Sequence, residues 1–410
     1  MWAFGSWPPV AQSWCLSGRY NPVRIVHVYN ELNPQNGGPP HVIAGLAAGQ
    51  MALGHDVVLI SEDPAGQPDV DRFLSAHLSP VPVRHAIHPR AFLSRFTRRA
   101  FKDALAGADI AHLHGVWPIV AMMASRICKE MNIPYVFAPH GSLHAGALAE
   151  KRLKKLIGMW GLGYRDYIRD AVALHALNAH EASGAAHPAF VGVKLPKRVE
   201  VIPNGVFPEM LAYPLKENTV NTLLPALKGA PYILYLARLH PGKGCDLLGK
   251  AFVEVAAAYP QVHLVMVGQD QGGLAMAQAP ITEAGLTDRV HFTGPIFDER
   301  KYDLYKNATV YCLPSRHEGF SMAITEAMAW GCPIVATETC YFPELTAHGC
   351  GIETALTASA IASAIKRLLA DPPEAIRMGE RGQALVQARY TWPQIAAETI
   401  KLYENCLETK

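Results

Sequence analysis

Residues 235–248 read YLARLHPGKGCDLL: the end of a short apolar run, Tyr232–Ala237, then a loop carrying Arg238 and Lys243, then the opening of a helix near Cys245. An apolar run, a turn and a helix spell a strand feeding a crossover helix, the unit from which parallel sheets are built. Toward the C-terminus the same grammar repeats as Val262–Val267, Val290–Phe292, Thr309–Leu313 and Pro333–Ala336. Toward the N-terminus an earlier series runs Arg24–Tyr29, Asp56–Ile60, Ile110–His114, Tyr135–Ala138, Val172–Leu177 and Val199–Ile202. A series that stops and restarts implies two doubly wound α/β sheets. Between them Pro203–Lys228, rich in Pro and Asn, reads as a linker.

Length agrees, since 410 residues that are 50% hydrophobic exceed one ordinary core and suffice for two domains of roughly 200 residues each. The expected division is a poorly ordered tail at 1–22, a first Rossmann-like domain at 23–210, a second at 211–392, and a C-terminal helix at 393–410 able to pack back on the first domain. In open parallel sheets ligands bind beyond the carboxyl ends of the strands, so two such domains face each other across a cleft.

A formal net charge of +2 argues against a nucleic-acid binder and against attachment to membranes by bulk charge. The eight cysteines form no C-x-x-C pair and sit mostly in apolar segments, which suits a reducing cytoplasm. No run of about 18 apolar residues occurs. The first 22 residues lack the charged start and unbroken apolar middle of a secretory signal, leaving a disordered tail or a misplaced start codon.

Arg238 and Lys243 at a helix N-terminus suit a diphosphate, because backbone N–H groups, helix dipole and side chains attract it together. A surface loop with two solvated cations is the alternative. Further on, EGFSMAITEAMAWGCPIVA (318–336) sets Glu318 on a loop before a Gly-Phe turn and Glu326 two turns into a helix expected from about Ser321 to Trp330. Carboxylates accept hydrogen bonds from vicinal hydroxyls, so one suits ribose and the other a sugar. The N–H groups of Phe320, Ser321 and Met322 open the helix toward a phosphate. Glu326 lies among Ala323, Ile324, Ala327 and Met328, where a charge needs a partner.

Arg238, Lys243, the turn Gly268, Phe292-Thr293-Gly294, Glu318-Gly319-Phe320 and Glu326, in that order, resemble the retaining glycosyltransferases of the GT-B fold, in the broad family 4 of bacterial sugar transferases. The resemblance spans nearly the whole chain after the tail. It implies that Arg238 and Lys243 neutralise the donor diphosphate, that Glu326 binds ribose hydroxyls, and that Glu318 contacts the transferred sugar. Ala237 stands where a Gly is common, and Ser321 where a Gly often follows Gly-Phe; Ser321 keeps its N–H.

In the first domain Gly37-Gly38 opens a loop before a helix whose apolar positions include Val42, Leu46 and Leu53. Such a pair lets backbone approach a ligand, and the resemblance puts the family's glycine loop near donor phosphate and acceptor; a flexible turn is the alternative. His140, after the strand Tyr135–Ala138, matches a histidine that family members present to donor sugar and acceptor. His112 and His114 share a strand face, yet no third metal ligand is evident. Asn178 with Glu181 reads as a helix cap. Asp69-Val70-Asp71 sits in a polar loop and is rejected as a metal-binding D-x-D.

Two basic stretches bear on the acceptor. Arg95, Arg98, Arg99 and Lys102 share a helical face beside exposed-looking Phe92, Phe96 and Phe101. Lys151, Arg152, Lys154 and Lys155 flank an apolar stripe of Leu153, Leu156, Ile157 and Trp160. Core packing with a solvated basic face competes with seating on an anionic bilayer. The latter suits a lipid-linked glycan acceptor and a cytoplasmic enzyme peripheral at the inner face of the membrane.

The resemblance implies a reaction that retains anomeric configuration, with neither cofactor nor metal expected. It also implies GDP-mannose or UDP-glucose as donor and cell-surface polysaccharide synthesis as the setting. A nucleotide-sugar 2-epimerase and a non-catalytic nucleotide-sugar-binding subunit are the competing readings.

Overall fold

The computed structural model describes residues 22–64, 66–88, 94–142, 152–183, 193–216 and 219–408. Residues 1–21 of the expected tail, Phe92 and Lys151 lie outside them, as do the side chains of Arg152, Leu153 and Leu156. Two parallel sheets organise the rest. The first contains β1 (Arg24–Val28), β2 (Asp56–Ser61), β3 (Val83–Ala86), β4 (Ile110–His114), β5 (Tyr135–Ala138), β6 (Ala173–Ala176) and β7 (Arg198–Val201) in the order β3-β2-β1-β4-β5-β6-β7. The second contains β8 (Tyr232–Leu236), β9 (His263–Val267), β10 (Val290–Gly294), β11 (Val310–Leu313), β12 (Ile334–Thr337) and β13 (Gly351–Thr354) in the order β10-β9-β8-β11-β12-β13. Both reverse direction once, between β1 and β4 and between β8 and β11, where loops part and leave a crevice. The architecture is two Rossmann-like domains, the GT-B arrangement.

Two strands, β3 and β13, escape the sequence pattern, and both are edges. An edge strand is covered on fewer sides and is under less demand for a continuous apolar run. VRHA at β3 accordingly has no buried residue, and GIET at β13 buries only Gly351. Other expectations shift. Leu53 follows the helix Gly38–Ala52 as its exposed cap. Asp69 and Asp71 lie in the first turn of the helix Pro68–His77, not in a loop, and Asp71 is ion-paired to Arg84 at 2.9 Å. The Pro203–Lys228 stretch is no free linker, because Met210, Leu224 and Leu227 enter the core of the second domain. The seven described cysteines are free and buried.

The chain passes between the domains twice, and the passages touch. Val206 N donates to Tyr390 O at 2.7 Å and Trp392 N to Val206 O at 3.0 Å. The last helix, Trp392–Leu407, then lies on the first domain, where Trp392, Ile395 and Ile400 share a core with Ile25, Val42 and Leu46. Gly45 and Gly49, one turn apart on the helix Gly38–Ala52, let the two helices approach. A Cβ at 49 would stand 2.5 Å from Ala396 Cβ and 2.7 Å from Trp392 O.

Gly49→Ala tests this contact by its sign. Helix propensity alone would favour Ala by about 1 kcal/mol, whereas overpacking costs about 1–3 kcal/mol. We expect a lower melting temperature by calorimetry; a rise would show that the helices do not meet there.

Candidate functional site

The switch point of the second sheet assembles the site. The loop after β8 carries Arg238 and Lys243, and the loop after the adjacent β11 carries Glu318. Arg316 ties the loops together: it donates to Asp246 Oδ1 at 2.9 Å, to Asp246 Oδ2 at 2.8 Å and to Pro241 O at 2.5 Å, while its N–H reaches Gly242 O at 2.8 Å. Held this way, Lys243 Nζ donates to both Glu318 oxygens at 2.7 Å. The Glu318 side chain is 7% exposed, and a carboxylate so buried requires such a partner. Arg238 is exposed and donates to Gln271 Oε1 at 3.0 Å. Gly268 backs the Arg238 loop, its α-carbon against Ala237 O.

The helix after Glu318 is shorter than the sequence suggests, Met322–Ala329, with Ser321 as its cap accepting from Ile324 N at 3.3 Å. Glu326 therefore stands about one turn in, and its neighbours supply the partner its setting demands. Lys301 Nζ donates to Glu326 at 2.8 Å and Tyr305 OH at 3.3 Å. Neither was singled out from sequence: both lie on the separate helix Arg300–Asn307, and no local signal ties them to residue 326. From the first domain His41 sits close enough to Lys301 and Glu326 to feel both charges, and burial lowers its pKa to about 4.

His140 comes to the same place from the first domain. It adopts φ 49°, uncommon for a residue with a Cβ, and Gly141 follows at φ 77°. The Glu318-Gly319 loop packs on this turn so closely that a Cβ at 319 would stand 2.7 Å from Gly141 Cα. Asn178 and Glu181 form the expected cap, with Glu181 N donating to Asn178 Oδ1 at 2.7 Å, but they also do more. Asn178 Nδ2 donates to Gly319 O at 2.6 Å across the domain boundary, and Glu181 Oε1 accepts from Gly141 N at 2.5 Å. Burial raises the Glu181 carboxyl to about 7, although the N–H groups of Leu177, at 2.8 Å from Oε2, and of Gly141 pull it down.

Beside His140 opens a cavity of about 540 Å³ lined by Tyr29, Asn30, Glu62, Trp117, Ile119 and Ser142 among others. These residues follow β1, β2, β4 and β5, so the cavity lies at the carboxyl edge of the first sheet. Pro39, at the start of the helix Gly38–Ala52, closes one side, while Gly37 turns the chain at φ 122° and Gly38 faces open space.

The basic stretches are partly corrected. Phe101 is fully buried, and Phe96 is 87% exposed. Arg98 and Lys102 both pair with Glu130, at 2.6 and 3.5 Å, and Arg99 pairs with Asp103 at 3.8 Å, so the face around Arg95 is less positive than its sequence suggests. On the helix Arg152–Gly161, Ile157 and Trp160 are exposed and Lys154 is exposed beside them. Lys155 Nζ lies 5.4 Å from the centre of the Trp117 ring in the cavity wall. No helix among the described residues is long and apolar enough to cross a membrane. A third histidine does join His112 and His114: the ligand atoms of His27, His112 and His114 lie within 4.8 Å of one another.

Two family models match the chain, one per domain: a glycosyl transferase 4-like domain over residues 37–205 and the glycosyl transferases group 1 over residues 224–385. The MMP alpha-(1->4)-mannosyltransferase of Mycolicibacterium hassiacum is 35% identical over 31% of this chain and 32% of that protein. The GDP-mannose:cellobiosyl-diphosphopolyprenol alpha-mannosyltransferase of Xanthomonas campestris is 25% identical over 94% of this chain and 98% of that protein. The chain thus spans about a third of the former's length, and 53% of two further curated relatives. The sucrose-phosphate synthase structure from Thermosynechococcus elongatus shares the fold, with a TM-score of 0.71 at 23% identity over 95% of this chain and 100% of that one.

Gly319→Ala tests the seam between the domains. The added methyl meets backbone, not a movable side chain, so a cost of about 1–3 kcal/mol and faster amide exchange at 138–142 and 317–321 are expected. Unchanged exchange at both loops would show that they do not touch in solution.

Proposed function

We propose that this chain, which belongs to the GT-B glycosyltransferases of the family 4 type, is a retaining hexosyltransferase that moves a hexose from GDP-mannose or UDP-glucose to a hydroxyl of a lipid-linked glycan. The observation that carries this reading is the meeting of Lys243 and Glu318 at 2.7 Å against the His140-Gly141 turn. Each donor-side carboxylate is held by a lysine: Glu318 by Lys243 and Glu326 by Lys301. A nucleotide sugar exchanges these pairs. Its diphosphate takes Lys243, assisted by Arg238 and by the N–H groups of Phe320, Ser321 and Met322 at the helix opening. Glu318, released, accepts from hydroxyls of the sugar, and Glu326 accepts from those of the ribose.

In the transfer step the bond between the anomeric carbon and the diphosphate oxygen breaks, and its electron pair stays on that oxygen. The acceptor hydroxyl bonds to the anomeric carbon from the same face, and its proton passes to the departing oxygen. Stabilising the new negative charge is the principal electrostatic contribution, supplied here by Arg238 and Lys243 without a metal. His140 and Glu318 position the sugar. The cavity beside His140 receives the acceptor, its Trp117 wall offering an apolar face and Glu62 a hydrogen-bond acceptor.

The helix Arg152–Gly161 borders that cavity through Lys155 and exposes Ile157 and Trp160, beside Lys154, which suits an acceptor whose lipid stays in an anionic bilayer. GDP-mannose is the first donor to try, because the relative matched over nearly its whole length is named for it.

A thermal-shift series with GDP-mannose and UDP-glucose reads donor choice, a saturating ligand at 100 times Kd adding about 2.7 kcal/mol. Product NMR then reads the anomer. Donor incubated alone that yields a 2-epimer would replace the transferase reading with the epimerase, and binding without turnover on any acceptor would leave a binding subunit.

Lys243→Ala is expected to lower kcat by about 10²–10³-fold while donor binding persists. Glu326→Ala should weaken donor binding by about tenfold or more with its main effect on KM; an unchanged thermal shift in that variant removes residue 326 from the site. Ile157→Ser/Trp160→Ser should abolish flotation with vesicles containing phosphatidylserine without lowering the melting temperature. Flotation retained by the double variant would place the membrane surface elsewhere.

A further inference from the structure

Four histidines, His27 on β1, His112 and His114 on β4 and His175 on β6, are buried on one face of the first sheet, the face covered by the helices Gly38–Ala52 and Trp392–Leu407. They join His140 to the last helix in a chain of hydrogen bonds. His140 Nε2 meets His114 Nδ1 at 2.8 Å, His114 Nε2 meets His27 Nδ1 at 2.8 Å, and His27 Nε2 meets Gln50 Oε1 at 2.8 Å. Gln50 Nε2 then donates to Thr399 Oγ1 at 3.3 Å and Tyr403 OH at 3.2 Å. A branch continues from Tyr403 OH to His112 Nδ1 at 2.7 Å, from His112 Nε2 to His175 Nδ1 at 3.4 Å, and from His175 Nε2 to Ile202 O at 2.8 Å.

Both ends of this chain are backbone carbonyls, which only accept, and that sets the direction of every bond between. Thr399 Oγ1 donates to Ala396 O at 2.8 Å, so its lone pair takes the Gln50 amide N–H, and Gln50 Oε1 must accept from His27 Nε2–H. His27 Nδ1 then accepts from His114 Nε2–H, and His114 Nδ1 accepts from His140 Nε2–H. Starting instead from Ile202 O, His175 Nε2–H donates, His112 Nε2–H donates to His175 Nδ1, and Tyr403 OH donates to His112 Nδ1. Tyr403 oxygen is left to accept from Gln50, the orientation the first route requires. One neutral tautomer satisfies every member, and burial keeps these rings neutral by lowering their pKa values, His27 and His175 to about 4 and His140 to about 3.

A metal ion fits the same three histidines less well. Every ring nitrogen of His27, His112 and His114 already has a partner. The 2.8 Å between His27 and His114 is also shorter than the ~3.3 Å separating two nitrogens on a tetrahedral zinc with bonds of about 2.0–2.1 Å.

We propose that Gln50, Thr399 and Tyr403 are positioning residues that, through His27 and His114, hold His140 as its Nε2–H tautomer and so leave Nδ1 as the lone pair available to a hydroxyl in the cavity His140 lines. The proposal rests on the transferase reading for its consequence but not for its geometry. The last helix of the chain thereby sets the hydrogen-bonding sense of a cleft histidine that it does not touch, favouring a hydroxyl donor there over a phosphate oxygen.

The test uses full-length protein labelled with ¹⁵N-histidine, with His140 assigned by its loss in His140→Gln. Long-range ¹H–¹⁵N spectra of the wild type should show His140 as the Nε2–H tautomer. Thr399→Val/Tyr403→Phe, which removes both acceptors of the Gln50 amide, should add the Nδ1–H form and lower kcat about tenfold with donor KM unchanged. Thr399→Ser should restore the spectrum and rate when combined with wild-type Tyr403. A wild-type spectrum showing Nδ1–H, stoichiometric zinc bound by these rings, or a folded double variant with spectrum and kcat unchanged each overturns the proposal. If the double variant does not fold, the wild-type spectrum decides. The expected spectrum in a protein that transfers no sugar would defeat the transferase reading and leave the relay standing.

Discussion

Two backbone turns pressed together, His140-Gly141 from the first domain and Glu318-Gly319 from the second, are the contact on which the candidate site depends. Neither turn has room for a side chain where they meet, and a Cβ at 319 would fall 2.7 Å from Gly141 Cα. The contact is held from one side by Asn178, donating to Gly319 O, and by Glu181, accepting from Gly141 N. A neighbouring stack of His180 on Tyr341, ring centres 3.6 Å apart, closes the same seam. Because Glu318 precedes Gly319 and His140 precedes Gly141, docking the turns sets the backbones of these two residues beside each other, one from each domain.

The charges around that spot are already satisfied within the second domain. Lys243 covers Glu318, Lys301 covers Glu326, and Arg316 covers Asp246 while pinning the loop that bears Lys243. A buried carboxylate without a partner would be costly, so the fold supplies one from the residues at hand. The arrangement remains exchangeable because lysine is a flexible point charge that can follow whichever anion approaches. Arg316, by contrast, grips Asp246 with two nitrogens and serves the scaffold.

The first domain shows the same economy in polar form. Its sheet carries histidines where apolar residues would ordinarily sit; they pair with one another and with Gln50, and the last helix, returning from the second domain to lie beside the helix Gly38–Ala52, adds Tyr403 to His112 and Thr399 to Gln50. Gly45 and Gly49 allow that return, and Trp392 occupies the space they leave. The passage of the chain at Val206 and Thr391 thus does two things: it sets a narrow junction between the domains and delivers Thr399 and Tyr403 to the histidine array.

The sequence by itself determined the two parallel sheets, the restart between them, and the loops bearing Arg238, Lys243, Glu318 and His140, because a buried strand must be a short apolar run and a crossover helix must follow a turn. It was silent on β3 and β13, since edge strands carry no such demand, and it overstated the length of the helix at Glu326 because Ser321 serves equally as a helical residue or as a cap. What only the tertiary structure decided are the pairs between residues far apart in the chain: Lys301 with Glu326, Asn178 with Gly319, and Gln50 with Thr399. Such pairs leave no periodicity in the chain. They exist because burying a charge or an amide obliges the fold to bring a partner from wherever the packing allows.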